Sequence, residues 1–95
     1  MPLQSLNQLN SDFSVARGQS LTRRLMQESI SDSERLQQVF LLATGRPPAD
    51  ADLAAANQFL DAQASEYGRD ANAKQRAWSD LSQMLLIGNA ALYLE

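Results

Sequence analysis

Between Ser31 and Pro48 the chain reads SDSERLQQVFLLATGRPP, and its apolar positions Leu36, Val39, Phe40 and Ala43 recur at helical spacing on one face. The same stretch carries its own boundaries. Glu34 follows Ser31 by three residues, the spacing of a capping box, so a helix is predicted to start there. Gly45 is placed for the left-handed C′ position, and Pro47-Pro48 forbid continuation. Leu41 and Leu42 make the opposite side apolar as well. A helix apolar nearly all round is normally buried between other helices, so Ser31–Thr44 is expected to be the central one.

The flanking patterns are helical too. Leu3, Leu6 and Leu9 suggest one or two turns, and the N-cap cluster Asn10-Ser11-Asp12 predicts a new helix from there to about Glu28. Phe13, Ala16, Leu21, Leu25 and Met26 make no clean stripe in it, so its inward face is not defined. Gly18 costs roughly 1 kcal/mol there relative to alanine, unless it marks a close helix approach. After Gly45–Ala49, Asp50 and Asp52 suit the positive end of a helix dipole, and Leu53, Ala56, Leu60, Ala64 and Tyr67 form an inward stripe flanked by Phe59. Gly68 ends that helix, Asp70 or Asn72 can cap the next, and the link suits an αα-hairpin. The following helix carries Ala77, Trp78, Leu81, Met84 and Leu85 on one face, and Gly88-Asn89 is expected to stop it before a last apolar turn through Leu92, Tyr93 and Leu94.

No stretch alternates like a strand. The predicted fold is all-α, a small antiparallel bundle of about four main helices plus short terminal turns, with residues 1–95 as a single helical domain. Phe40, Leu60, Trp78, Leu81 and Leu85 are the expected core, being the largest members of the inward faces.

Composition narrows the chemistry. At 95 residues the chain is large enough to fold without staples. It has no cysteine and no histidine, which removes disulfides, thiolate sites, a thiol nucleophile, covalent haem attachment, the commonest metal ligand and the commonest general base. The formal charge of -3 weighs against nucleic acid or an anionic membrane surface as a partner. No apolar run reaches the ~18 residues of a membrane span, and no signal peptide pattern opens the chain. No cofactor-binding pattern is evident.

The remaining candidates have plain explanations. Arg23-Arg24 could clamp a phosphate but reads better as a solvated helix face. Asp50, Asp52 and Asp61 lack the loop spacing of a calcium hand and are better explained by helix-dipole compensation. Ser65, Ser79 and Ser82 have no activating base in sequence, and Lys74 near a helix start would need a pocket to act as a catalytic amine. A helix-turn-helix is disfavoured by the glycine-proline link and the acidic balance. Arg46 is more specific. Between two buried helices its guanidinium can reach carbonyls at the end of the central helix or make a forked pair, and Asp80 is the expected partner in a structural latch.

The combination Val39-Phe40-Leu41-Leu42-Ala43-Thr44-Gly45-Arg46-Pro47-Pro48, Asp52-Leu53, Trp78-Ser79-Asp80-Leu81-Ser82-Gln83-Met84-Leu85-Leu86, Asn89 and Leu92-Tyr93-Leu94 resembles the C-terminal end of the planctomycete-type cytochrome-c-associated proteins, in their domain of unknown function 1553. Leu6-Asn7-Gln8-Leu9-Asn10-Ser11-Asp12-Phe13 resembles an upstream motif of that family. Departures are Ala90-Ala91, where the family tends to have Glu-Phe, and Ser82, where cysteine is common. The resemblance implies a segment of a larger, exported or periplasmic protein that often carries a separate c-type haem domain. It implies no established activity.

Two function classes follow. One is a non-catalytic helical module that packs on another domain, a subunit or its own copy, suggested by the missing catalytic residue types and the surplus apolar residues at Leu41-Leu42 and Leu92–Leu94. The other is an accessory wall or lid of an enzyme site lying upstream in a larger protein. Arg46, Asp80 and Tyr93 converging on an open cleft would favour the second, and the same groups bonded to one another in a filled core would favour the first.

Overall fold

The computed structural model describes the backbone over residues 2–28 and 31–94, and the side chains of residues 15–28 and 31–88. Four helices follow one another: α1 (Pro2–Glu28), α2 (Asp32–Thr44), α3 (Asp50–Tyr67) and α4 (Ala73–Leu94). There is no strand among the described residues, and the fold is a small all-α bundle.

The boundaries around α2 and α3 arise from caps. Ser31 Oγ accepts from the Glu34 N–H at 3.2 Å, satisfying one orphan donor of the first turn. At the other end Gly45 takes φ 77°, which only glycine adopts at little cost, and its N–H closes on the Leu41 carbonyl at 2.9 Å. Asp52 reaches back from the first turn of α3 to accept the Ala49 N–H at 2.9 Å. The α3–α4 link turns at Gly68, where φ is 60°. Asp70 then accepts the Asn72 N–H at 2.8 Å, and the Asn72 carbonyl accepts from Arg76 to start α4.

Two expected breaks are absent. α1 runs unbroken through Asn10-Ser11-Asp12, because a residue caps only where the preceding backbone leaves the helix, and here it does not. α4 likewise runs through Gly88, since a glycine stops a helix by turning left-handed, and positive φ occurs only at Gly45 and Gly68 among the described glycines.

The hub also differs from expectation. α4 packs on all three other helices and most extensively on α1, whereas α2 meets α1 along a thin seam. α2 buries Leu36, Val39, Phe40 and Ala43 but leaves Leu41 and Leu42 exposed at 43% and 42%, so it is a flanking helix with one inward face. The core is Leu25, Leu36, Val39, Phe40, Ala56, Trp78 and Leu81, with Trp78 only 1% exposed. Leu60 and Leu85, expected in the centre, pack at its rim, and Met84 is exposed at 47%.

α1 meets α4 through small and polar residues. Gly18, Thr22 and Leu25 face inward at i, i+4 and i+7. A Cβ on Gly18 would collide with Gln83 Cγ and lie 3.3 Å from both the Gln83 nitrogen and the Ser79 carbonyl oxygen. Below this crossing Thr22 Oγ1 donates to the Gly18 carbonyl at 2.7 Å and Ser82 Oγ to the Trp78 carbonyl at 2.9 Å. Both buried hydroxyls are therefore satisfied within their own helices, which removes the main cost of burying them. Their small size lets the two backbones approach.

Candidate functional site

Asp80 stands one turn beyond Arg76 on α4, facing the last two turns of α3. Its Oδ2 accepts hydrogen bonds from Gln63 Nε2, at 2.9 Å, and from the Tyr67 hydroxyl. Gln63 and Tyr67 are four residues apart, so helical geometry alone brings both donors to one carboxylate. The Arg76 guanidinium lies over the Tyr67 ring, 4.0 Å from its centroid, and is paired with Asp70 at 2.7 Å. The hydrogen bond to Asp80 raises the Tyr67 phenol above its ordinary value, because ionising it would place a second negative charge against the carboxylate. The Asn72 N–H and the Arg76 guanidinium lower the carboxyl of Asp70.

This cluster forms one end of a groove of about 490 Å³ between α1 and α4. Arg23, Gln19 and Thr22 line it from α1, and Ser79 and Gln83 from α4. Its walls offer donors and acceptors of both signs. Among the described residues they hold no nucleophile beside a base: Ser79 Oγ accepts from Gln83, and Asp80 is engaged by Gln63 and Tyr67.

Asp80 thus has partners on α3 instead of the expected Arg46. Arg46 is exposed in the α2–α3 link, and none of the ion pairs among the described residues includes it. The end of α2 is closed without the Arg46 side chain: Thr44 Oγ1 donates to the Phe40 carbonyl at 2.6 Å and also receives the Arg46 backbone N–H at 3.2 Å. Tyr93 and the Leu92–Leu94 turn lie outside the residues whose side chains are described. Arg24 pairs with Glu28 at 3.1 Å on the exposed face of α1, and Arg23 donates to Ser20. Lys74, at the start of α4, pairs with Asp32 at 3.2 Å, and Arg35 binds the same carboxylate at 2.8 Å. Burial raises the Asp32 carboxyl, but the bonds to Lys74 and Arg35 outweigh it and hold the carboxyl below its ordinary range. Among the described residues no cluster of three or more acidic side chains could hold a metal ion, and no helix is long and apolar enough to cross a membrane.

The partners Gln63 and Tyr67 were not legible in sequence as a pair for Asp80. Gln63 stands three residues after Leu60 and four before Tyr67, so helical spacing puts it on the same side as that stripe, and a polar residue so placed is the signal that a polar partner faces it.

The second feature is apolar. Leu42 stands on the α1–α2 seam with a groove on either side. One groove, of about 330 Å³, is lined by Leu21 and Leu86 with Arg17 and Arg24. The other, of about 270 Å³, is lined by Leu25 and Gln38 with Glu28 and Glu34. Leu41, the next residue of the ridge, is exposed as well.

A family model described as "PSD1: Protein of unknown function (DUF1553)" matches residues 1–60. The match takes in the Leu6–Phe13 motif and the Gly45–Pro48 link, and ends before Trp78–Leu86. Comparison with curated proteins and with solved structures finds no match.

Proposed function

The chain belongs to the PSD1 family of proteins of unknown function (DUF1553), and within that family we propose that it is a non-catalytic helical module that packs on another protein surface through the Leu41-Leu42 ridge of α2. The observation that carries this reading is the ridge itself. Two adjacent leucines are more than two-fifths exposed on the outer side of α2, with Leu42 on the α1–α2 seam, and neither belongs to the core cluster. Exposed large apolar side chains with open grooves beside them mark contact surfaces. The lack of histidine and cysteine supports a binding role over a catalytic one. The formal charge of -3 supports a protein partner over nucleic acid. The resemblance of the chain to the end of larger exported proteins makes the rest of such a protein one source of that surface.

The test is where Leu42 spends its contact energy. In dilute solution, Leu42→Ser should change unfolding free energy by less than ~0.5 kcal/mol, as surface substitutions do. Leu81→Ala in the core should cost ~2–5 kcal/mol. A Leu42→Ser loss as large as that of Leu81→Ala would make Leu42 part of the monomer's own fold and overturn the reading.

A second reading is a wall of an enzyme site, favoured by the polar groove at Tyr67, Arg76 and Asp80. Its test is binding of small polar ligands to that groove by the full-length protein, with loss on Asp80→Asn.

A further inference from the structure

We infer that the occupant of the Leu42 ridge is a second copy of this chain, related to the first by a two-fold axis passing close to Leu42; the inference rests on the ridge being a docking surface. The charges on either side of Leu42 carry it. On one side Arg17 and Arg24 rim the groove, and on the other Glu28 and Glu34 do. The first groove joins the middle of α1 to the end of α2, and the second joins the end of α1 to the start of α2, so the two helices run in opposite directions along the seam. From Arg17 to Glu28 the seam spans about 16 Å at the helical rise, with Leu42 between its basic and acidic ends.

A surface with an apolar centre, one basic flank and one acidic flank is complementary to itself under a two-fold rotation. Turning a copy through half a revolution about Leu42 places its leucine ridge on the first ridge. The same rotation sets its Glu28 and Glu34 against the first copy's Arg17 and Arg24, and the reverse pairing follows by symmetry. A single-signed rim would have repelled its own copy, whereas an uncharged one would have left the register unset. Arg24 already pairs with Glu28 along α1 and Arg17 is engaged within its own chain, but Arg17 is exposed and both members of the Arg24–Glu28 pair are more than half exposed, and contacts so exposed are weak enough to exchange partners. A stable contact of standard size needs ~800 Å² from each copy. That is about one-eighth of the chain's 6376 Å² surface, an area within reach of an α1–α2 face laid on its twin.

Light scattering over a concentration series, on the chain as it stands and on three variants, tests this. The chain of 10.5 kDa should move to twice that mass as concentration rises. Leu42→Glu should keep it monomeric. Arg17→Glu alone and Glu34→Arg alone should each weaken association about tenfold or more, and the two together should restore it to within a few-fold. Raised salt should weaken the unmodified dimer. Circular dichroism of each variant confirms that it folds. A mass fixed at the monomer value at all concentrations overturns the second copy as occupant. It leaves the docking reading to the Leu42→Ser measurement, which does not depend on self-association. Dimers that survive Leu42→Glu, or a double charge swap no better than either single change, overturn the two-fold arrangement.

Discussion

Replacing Gly18 with alanine sets two effects of opposite sign against each other, and the structure decides between them. In an unconstrained helix interior the change stabilises by ~1 kcal/mol, since alanine loses less backbone freedom on folding than glycine. At Gly18 the added methyl meets Gln83 Cγ and lies 3.3 Å from the Gln83 nitrogen and the Ser79 carbonyl oxygen. The Gln83 side chain can turn away, losing its 3.0 Å hydrogen bond to Ser79 Oγ, but the backbone atoms can yield only if α1 and α4 separate. Overpacking of this kind costs ~1–3 kcal/mol, and the lost hydrogen bond adds ~0.5–1.5 kcal/mol. The net expectation is destabilisation by ~1–2 kcal/mol. Gly88 supplies the control within the same molecule: it is helical, and nothing lies within 4 Å of its Cβ position. Gly88→Ala should therefore stabilise by ~0.5–1 kcal/mol. Denaturant unfolding followed through the single tryptophan, Trp78, and checked by circular dichroism measures both. In a chain this small each kcal/mol moves the thermal midpoint by ~4–8 °C. If Gly18→Ala stabilises as much as Gly88→Ala, the close α1–α4 crossing is wrong.

Further outcomes follow from the same contacts. Phe40→Ala and Trp78→Ala should each cost ~3–5 kcal/mol, enough to unfold much of so small a domain, and an unchanged melt would place the residue outside the core. Tyr67 should ionise above the ordinary 10.0 of a phenol, with Asp80→Asn bringing it down; phenolate absorbance reads both. Because the folded value is raised, the stabilisation tied to Tyr67 is complete below pH ~10 and fades as pH rises through the folded value, so the alkaline fall in stability should be shallower in Tyr67→Phe. Asp32 and Asp70 are lowered from 3.8, so their stabilisation is present above that pH and is lost as pH falls through the folded values. Acid titration of the double Asp32→Asn, Asp70→Asn variant should show a flatter decline, and an unaltered one would mean that neither pair matters.

Capping and apolar spacing made the helices around Gly45 and Gly68 readable, because glycine, serine and aspartate at those points act through local backbone geometry. The α3 stripe was readable for the same reason. α1 was not, since its inward face is built from Gly18 and Thr22, residues that carry no hydrophobic signal and pack through smallness and a self-satisfied hydroxyl. Leu41 and Leu42 make α2 look central in sequence although both are exposed: an apolar side chain is as compatible with a surface as with a core, and periodicity cannot tell them apart. Asp80 is expected from sequence to meet Arg46; that it meets Gln63 and Tyr67 instead depends on how α3 lies against α4, which no local pattern encodes.

With α4 as the hub, Leu81 is sealed in the core while Leu42 on α2 stays open for a partner. Thiol reactivity tests it directly, because the chain contains no cysteine of its own. Leu42→Cys and Leu81→Cys variants would be treated with a thiol reagent in dilute solution and again at high concentration. The thiol at position 42 should react in dilute solution within about tenfold of an unfolded peptide and become protected as concentration rises. The thiol at position 81 should stay protected throughout, reacting only as fast as the chain opens. A position 42 thiol protected even in the dilute monomer, or a position 81 thiol that reacts freely in the folded chain, would contradict it.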